Sequence, residues 1–486
     1  MTAGLLELAR LHAAWLVLAS LLCGAALAVA LPRLAWFVAV LAALVAATLA
    51  ADVMARTLFG QPEAVVAQEG IALSIDGISA FAVALIAVIT ALIAIGSGAL
   101  LEDFSSRVAP FAVSLMLCVT AGWIAALFAP GFVELVICSE AAWLAALGLT
   151  ALSDEDSRGA ANGAMRMLMI GGAGAALSVF GAAMVVRAIG ATAFAAIGDE
   201  RIAAPNLAAL GFALLIVAMA SKAAIAPLHF WAGAAFGRGS RLSALVIGGV
   251  GVIGALSVIV RLAAILSAAP DLGLGAAGVL AVLGAATAVI GSVQAVGARD
   301  LRRLAAYAAA SQGGCILLGL AIGSPAELAA SLVQLLALAV AMVALLGGAA
   351  AVTDGSLVVV DGLARRAPLA SAAIAAGSLS LIGAPLTIGF LGRWRMIEAG
   401  VAADWWWATG AVLAASLAAV IYGGRLIERI YFRHATVQTM DAERSWRRVL
   451  IAPALIFAIA VIVVGVNPDF VLRAAAAAST LQLGRP

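Results

Sequence analysis

Apolar runs long enough to cross a membrane follow one another along almost the whole chain of 486 residues. A helix rises about 1.5 Å per residue, so roughly 20 apolar residues span a hydrocarbon core about 30 Å thick. Fourteen such runs are predicted, at 12–31, 34–51, 74–100, 108–129, 132–152, 164–187, 207–235, 242–267, 273–297, 304–322, 325–352, 367–393, 405–424 and 448–466. Because lipid offers the backbone no hydrogen bonds, the pattern predicts an all-α polytopic membrane protein.

Composition agrees with a membrane protein and argues against several functional classes. The chain is 65% hydrophobic and 11% charged, which is too apolar for a large soluble core. The sequence has no basic patch with interleaved aromatic residues, so nucleic-acid binding is not indicated. The four cysteines form no Cys-x-x-Cys pair, and no cofactor motif or nucleotide-binding loop is present. We therefore expect no cofactor, no metal and no nucleic-acid partner, with any redox chemistry carried out by other proteins.

The arginine distribution predicts the orientation of the chain. An even number of spans places both termini on one side of the membrane. Loops after odd-numbered runs contain 17 arginines, and the opposite side contains 8. Because basic loops stay in the cytoplasm, both termini are predicted on the outer, periplasmic side of a bacterial cytoplasmic membrane.

Lys222 is the only lysine in the chain and lies at hydrocarbon depth in the seventh run. A charge at that depth costs several kcal/mol and indicates a function. Pro227 follows five residues later and is expected to break the helix, because proline has no backbone N–H. A desolvated lysine releases its proton, whereas arginine effectively does not. Lys222 is therefore a candidate proton carrier.

A glutamate in the fifth run is the natural partner of this lysine. Glu134 lies near the outer end of the run, whereas Glu140 is about 9 Å deeper, too deep for a short side chain to reach the surface. A buried glutamate is either neutral or paired with a cation. If Glu140 and Lys222 approach, each keeps the other charged, and separating them releases a proton. The two residues are predicted to form a proton-relay element.

Three further polar residues are candidates for site or structural roles. His229 follows Pro227 by two residues and either bonds a freed backbone carbonyl or relays protons to the second half of the chain. Arg393 lies in a glycine-rich break of the twelfth run, where it either sets the local field or reaches outward. Asp76 opens the third run and is predicted to be a helix N-cap.

Two similar segments indicate an internal duplication. Residues 225–228 read Ile-Ala-Pro-Leu, and residues 383–386 read Gly-Ala-Pro-Leu, five runs later. A repeat of five helices is necessarily inverted, which is the pattern of secondary transporters with broken helices at the midplane. The predicted organisation is N-terminal helices (1–107), a first five-helix repeat (108–267), a second repeat (273–424), and an amphipathic segment, final span and tail (425–486). The amphipathic stretch 425–434 is expected to be an interfacial helix.

The motifs together resemble the antiporter-like subunits shared by respiratory complex I, group 4 membrane-bound hydrogenases and Mrp-type cation/proton antiporters. The resemblance rests on Ile75–Ser79, Glu140, Lys222 with Pro227–Trp231, Arg299–Tyr307, and Ser378–Pro385 with Gly389 and Phe390. It implies fourteen helices with two inverted five-helix repeats and broken helices in spans seven and twelve. It also implies that Glu140 and Lys222 carry proton translocation and that Arg393 is the far end of the path.

The chain departs from that family in its eighth and eleventh spans. The family usually has a lysine or histidine in span eight and titratable residues in span eleven. Here residues 245–260 of span eight include no titratable residue, and Gln334 is the only polar side chain in the core of span eleven. Water with polar partners could bridge the gap. We expect a hydrated central cavity bordered by Ser257, Ser311, Gln312 and Gln334, with room left by Gly248, Gly249 and Gly251.

The sequence therefore predicts a subunit that moves protons, or sodium coupled to protons, within a redox-driven membrane complex. The predicted site residues are Glu140, Lys222, His229 and Arg393. Its expected partners are other integral membrane subunits, lipid and the transported ions. Two alternatives stay open: a scaffold subunit whose proton path is disabled, and a freestanding secondary ion transporter.

Overall fold

A computed structural model describes residues 12–60, 65–68, 71–153, 157–197, 202–267, 270–352, 356–434 and 447–480. Helices dominate this part of the chain. A two-stranded antiparallel hairpin, β1 (Val65–Gln68) paired with β2 (Ile71–Ser74), precedes the third helix. The all-α polytopic fold predicted from the apolar runs is confirmed.

The helices follow the predicted runs closely. The first half contains α1 (Ala13–Ala30), α2 (Ala35–Phe59), α3 (Gly77–Ser97), α4 (Ala109–Leu127), α5 (Phe132–Ala151), α6 (Ser157–Ile189), α7 (Pro205–Lys222), α8 (Ala232–Arg238) and α9 (Arg241–Ser267). The second half contains α10 (Pro270–Gly297), α11 (Leu301–Ile322), α12 (Pro325–Ala350), α13 (Leu363–Arg366), α14 (Pro368–Ile382), α15 (Ile388–Ala402), α16 (Trp406–Phe432), α17 (Arg447–Val466) and α18 (Asp469–Thr480).

Within the described residues, twelve helices are long and apolar enough to cross a membrane, or thirteen if a bent pair counts as one span. That pair is α17 and α18, which meet at 83°. The twelfth predicted run is divided into α14 and α15, each of 15 residues and too short to span alone. The count of fourteen spans and the inverted repeats stay predictions.

The seventh predicted run is broken where the proline was expected to interrupt it. Residues 223–231 separate α7 from α8 and contain no α-helix. The backbone groups that this break exposes find partners inside the protein. The Ala226 N–H donates to Thr287 Oγ1 at 3.0 Å, and Trp231 Nε1–H donates to the Ser221 carbonyl at 2.8 Å. These polar groups are therefore satisfied by the protein itself, as polar groups at membrane depth must be.

One prediction about the C-terminal part is corrected. The amphipathic stretch 425–434 is not a separate interfacial helix, because α16 continues unbroken to Phe432. Its basic face packs on the protein: Arg425 donates to the Ala298 carbonyl at 2.9 Å, and Arg429 donates to the Leu357 carbonyl at 3.1 Å. The C-terminal tail contains α18, whose inner face is buried. Residues 435–446 and 481–486 lie outside the described part.

A buried ion pair ties the start of α3 to α9. Asp76 is the predicted N-cap, and its side chain accepts from the Ser79 N–H at 2.7 Å. Arg261 Nε donates to Asp76 Oδ2 at 2.6 Å, and its Nη1 donates to the Ala129 carbonyl at 2.9 Å. The arginine count that predicted the orientation includes Arg261 on the outer side, although this residue does not lie in a loop. The residue lies within α9, and its side chain is 1% exposed. Its burial is tolerated because a carboxylate and a carbonyl take the place of water as hydrogen-bond acceptors.

Replacing Arg261 by methionine is expected to lower the free energy of unfolding by about 3–5 kcal/mol, because Asp76 would be left buried without a counter-charge. Thermal unfolding of the purified chain in mild detergent measures the change. The matched control is Arg395→Met, which breaks the exposed Arg395–Glu398 pair and should cost at most about 1 kcal/mol. Equal destabilisation by the two substitutions would contradict a supporting role for Arg261.

Candidate functional site

The predicted partners Lys222 and Glu140 form an ion pair between α7 and α5. Lys222 Nζ donates to Glu140 Oε1 at 2.7 Å. The lysine side chain is fully buried, whereas the glutamate side chain is 21% exposed. Ser178 of α6 donates to the same carboxylate oxygen at 3.3 Å. Three helices therefore meet at one charged pair.

The break after α7 explains why a lysine is tolerated here. Lys222 is the last residue of α7. The last carbonyls of a helix have no partner within it and carry partial negative charge, so they stabilise a cation. The α6 backbone approaches closely at this level, since a side chain at Gly174 would collide with Ser221. The lysine is thus enclosed by protein, and the Glu140 carboxylate balances its charge.

His229 connects the break to the second half of the chain. Its Nε2 lies 2.9 Å from Gln294 Oε1 on α10, and the residue is 3% exposed. The sequence left open whether His229 bonds a freed carbonyl or faces the second half, and the structure provides the contact to α10. Gln294 was not among the predicted residues. The sequence contained a signal for this residue. Thr287 and Gln294 are seven residues apart, so two polar side chains share one face of a largely apolar helix, α10.

Polar side chains continue across α10, α11 and α12 in pairs. Ser292 and Ser311 lie 2.8 Å apart, oxygen to oxygen. Gln334 Nε2 donates to Gln312 Oε1 at 2.7 Å, and Gln312 Nε2 donates to the Leu381 carbonyl at 3.3 Å. The groups in these contacts are side chains, except for the Leu381 carbonyl, and they lie between apolar helices. These contacts bring polar groups from the neighbourhood of His229 to the end of α14.

Arg393 lies at the second break, between α14 and α15. Its Nη1 and Nη2 donate to the carbonyls of Ile382 and Leu381, the last two residues of α14, and Nη1 also donates to Ser416 Oγ at 3.3 Å. Gly383 ends α14 in the left-handed region at φ 76°, a conformation that favours glycine. Arg393 is 4% exposed, so its charge is held at the helix end.

The room expected beside three α9 glycines is not present at two of them, Gly248 and Gly249. A methyl group at Gly248 would lie 2.7 Å from Leu346, and one at Gly249 would lie 2.9 Å from Val343. Ser257 donates to a carbonyl of its own helix at 2.7 Å. Glycines between membrane helices allow close packing, and apolar neighbours fill the space beside these two. Gly251 differs, because a Cβ there would meet only Ile247 of its own helix, at 3.7 Å. The hydrated cavity stays a prediction, without the room expected at Gly248 and Gly249.

Glycines also bring the backbones of α10 and α11 into direct contact. A Cβ at Gly284 would lie 2.8 Å from the Leu318 backbone nitrogen, and one at Gly291 would lie 2.7 Å from the Ser311 nitrogen. Gly314 of α11 faces α10 just as closely. Small residues at such positions allow van der Waals packing between membrane helices. The two helices that carry most of the polar pairs are therefore held together along their length.

Fold and site together define a polytopic membrane protein that holds ionisable groups between its helices. A family model described as NADH:quinone oxidoreductase/Mrp antiporter, transmembrane, matches residues 129–418. The chain belongs to this family, and the resemblance seen in its motifs is confirmed.

Individual proteins give the same result. The chain is 28% identical over 327 residues to NADH-quinone oxidoreductase subunit N 2 of Solidesulfovibrio magneticus, covering 66% of this chain and 68% of that protein. The Mrp complex of Dietzia sp. shares the fold at a TM-score of 0.85 and 21% identity, covering 98% and 97%. An archaeal membrane-bound sulfane sulfur reductase shares it at 0.84 and 22%, covering 97% of each chain. The chain is thus an antiporter-like membrane subunit.

Proposed function

We propose that this chain translocates protons, or exchanges sodium for protons, as one membrane subunit of a redox-driven complex. The Lys222–Glu140 pair carries the proposal. Lys222 is fully buried at the end of a broken helix, and its Nζ lies 2.7 Å from the Glu140 carboxylate. Ionisable groups between membrane helices mark ion pathways and proton relays. The proton affinity of a fully buried lysine depends on its one carboxylate partner. It therefore changes when that carboxylate is protonated or moves away.

The relay step follows from the cost of a buried charge. While the pair is closed, each ion stabilises the other. When Glu140 takes up a proton or moves away, Lys222 is left desolvated without a counter-charge, and its neutral form is favoured. The lysine then releases a proton towards the break that contains His229. When the pair closes again, the proton that Glu140 took up passes to Lys222. This step restores the charged pair and completes the cycle, with one proton moved from the Glu140 side to the His229 side.

We propose that the path continues along α10 to α12 instead of α9. It would run from His229 and Gln294 past the Ser292–Ser311 contact to the glutamine pair Gln312–Gln334, with water completing the steps between them. Arg393 does not release a proton under physiological conditions. In this scheme Arg393 is a fixed charge that defines the far end of the path and is not itself a carrier.

The relatives support partners for the chain. The Solidesulfovibrio protein is named as a subunit of NADH-quinone oxidoreductase, and the Dietzia structure is an Mrp complex. We propose that this chain likewise joins other integral membrane subunits in a bacterial cytoplasmic membrane, with its termini outside. Purifying the tagged chain in mild detergent and identifying the co-purifying subunits separates this role from that of a freestanding transporter. Recovery of the chain alone, in an active form, would contradict it.

The apolar packing at Gly248 and Gly249 favours a second candidate, a scaffold subunit without a path. The glutamine pair distinguishes the two functions. Replacing Gln312 and Gln334 together by leucine removes both partners, so neither amide is left unpaired. A proton path through the pair predicts an uptake rate lower by about tenfold, as a barrier raised by about 1.4 kcal/mol would give.

Proton uptake is measured with a pH-sensitive dye in inside-out vesicles that contain the assembled complex. Ser257→Ala is the control, because Ser257 bonds only a carbonyl of its own helix in the described structure and lies off the proposed path. Normal uptake by the double leucine variant would rule out a path through the glutamine pair.

A further inference from the structure

A cavity of about 380 Å³ opens near the start of α6, where α6, α8 and α11 meet. It lies apart from the Lys222–Glu140 pair and has no part in the proposed proton path. Its lining combines four arginines with an amide and a phenol: Arg158, Asn162, Arg166, Arg238, Arg303 and Tyr307. Among the described residues, no acidic side chain lines it.

The described chain balances only part of the positive charge of this cavity, since Asp300 interacts electrostatically with Arg303. Arg158 and Arg166 are exposed, Arg303 is half-buried, and their side chains make no hydrogen bond or ion pair with another described residue. Asp300 precedes Arg303 by three residues but caps α11, accepting from the Arg303 backbone N–H at 2.9 Å. Residues 154–156, acidic in the sequence, lie outside the described part. Several guanidinium groups around one cavity suit a phosphate group, which accepts bidentate hydrogen bonds.

The cavity lies at the depth of lipid headgroups. Gly174 packs beside Ser221, level with the buried lysine. Counting back along α6 at about 1.5 Å per residue, Arg166 is about 12 Å and Arg158 about 24 Å from that level. A hydrocarbon core about 30 Å thick ends about 15 Å from its centre. If the lysine marks the centre, the two arginines lie on either side of the membrane boundary.

The surface beside the cavity is apolar. Met165, Leu168 and Met169 are 57%, 49% and 68% exposed on α6, and Phe230 at the cavity edge is 62% exposed. A free phosphate ion gains nothing from such a surface, whereas acyl chains pack against it. Basic pockets between transmembrane helices on the cytoplasmic side suit anionic lipid headgroups.

We propose that this cavity binds the phosphate headgroup of an anionic phospholipid, whose acyl chains lie along the exposed face of α6. The arginines contact the phosphate, and Asn162 and Tyr307 offer further hydrogen-bond donors. The lipid would hold α6, α8 and α11 together beside the first helix break.

Lipid binding to the delipidated, purified complex tests the proposal by native mass spectrometry. Phosphatidylglycerol is compared with phosphatidylcholine of the same acyl chains, and inorganic phosphate is added as a competitor. The wild type is expected to prefer phosphatidylglycerol by about tenfold, and Arg158→Gln with Arg166→Gln should remove most of that preference. The control is Arg33→Gln with Arg187→Gln, which removes two exposed arginines outside the cavity.

A second variant fills the cavity without changing its charge. Asn162→Trp places a bulky ring at an exposed lining position and should weaken phosphatidylglycerol binding while every arginine is kept. The proposal would be overturned if the cavity and control variants lost the preference for phosphatidylglycerol equally. It would also be overturned if the wild type showed no preference for phosphatidylglycerol over phosphatidylcholine. Displacement of the lipid by inorganic phosphate at similar concentration would also overturn it and assign the cavity to the free ion.

Discussion

Replacing Lys222 by arginine is expected to reduce proton uptake by at least about tenfold although the charge is retained, because arginine does not release its proton. The lysine contacts Glu140 at 2.7 Å, and arginine can keep an ion pair there. Lys222→Ala is expected to lose uptake as well and in addition to leave the carboxylate without its cation. Uptake in vesicles and the yield of assembled complex are measured for both variants.

The arginine variant separates two roles of the lysine. A proton carrier must alternate between charged and neutral forms, whereas an electrostatic anchor needs only the charge. The control is Arg33→Ala, which changes an exposed residue outside both helix breaks and should leave uptake unchanged. Normal proton uptake with Lys222→Arg would refute the carrier role and leave the residue as an anchor.

Glu140→Gln is expected to harm stability and transport together. It leaves a fully buried ammonium group without its carboxylate. Breaking a buried pair costs about 3–5 kcal/mol, and the lower end applies here because the glutamate is 21% exposed. Adding Lys222→Gln removes the unpaired charge, so the double variant should regain stability but not transport. Thermal unfolding and vesicle uptake measured on the same preparations separate the two effects.

Glu134 provides the matched control for that experiment. It lies on the same helix, six residues before Glu140, and its side chain is exposed. Glu134→Gln makes the same chemical change without touching the buried pair and should leave stability and uptake near normal. If Glu134→Gln eliminated transport while Glu140→Gln did not, the assignment of Glu140 would be wrong.

The parts of the structure that rest on hydropathy and charge were predictable. Apolar runs fix the helices because lipid leaves the backbone no alternative partner. The contact of Lys222 with Glu140 followed from the rarity of charges at that depth, since each buried ion needs a counter-charge. Pro227 marked the first break because proline removes a backbone donor. These inferences need no knowledge of distant packing.

The features that sequence reasoning missed depend on which surfaces meet. Arg261 lies in the last third of a predicted apolar run, and only the fold brings Asp76 to it. Gln294 is uncharged, so its burial beside His229 leaves no cost visible in the sequence. Glycine is ambiguous, because the same residue leaves space or permits close contact. At Gly248 and Gly249 the neighbours fill the space, and this cannot be read from α9 alone.

The backbone contact between α10 and α11 has a mechanical consequence. Thr287 and Gln294 of α10 hold the first broken helix, and Gln312 of α11 bonds the end of the helix before the second break. Between them, Gly291 and Gly314 leave the two backbones no compressible side chains to absorb a shift. The pair therefore acts as a stiff spacer between the two halves of the chain. A displacement of one broken helix is expected to reach the other through α10 and α11.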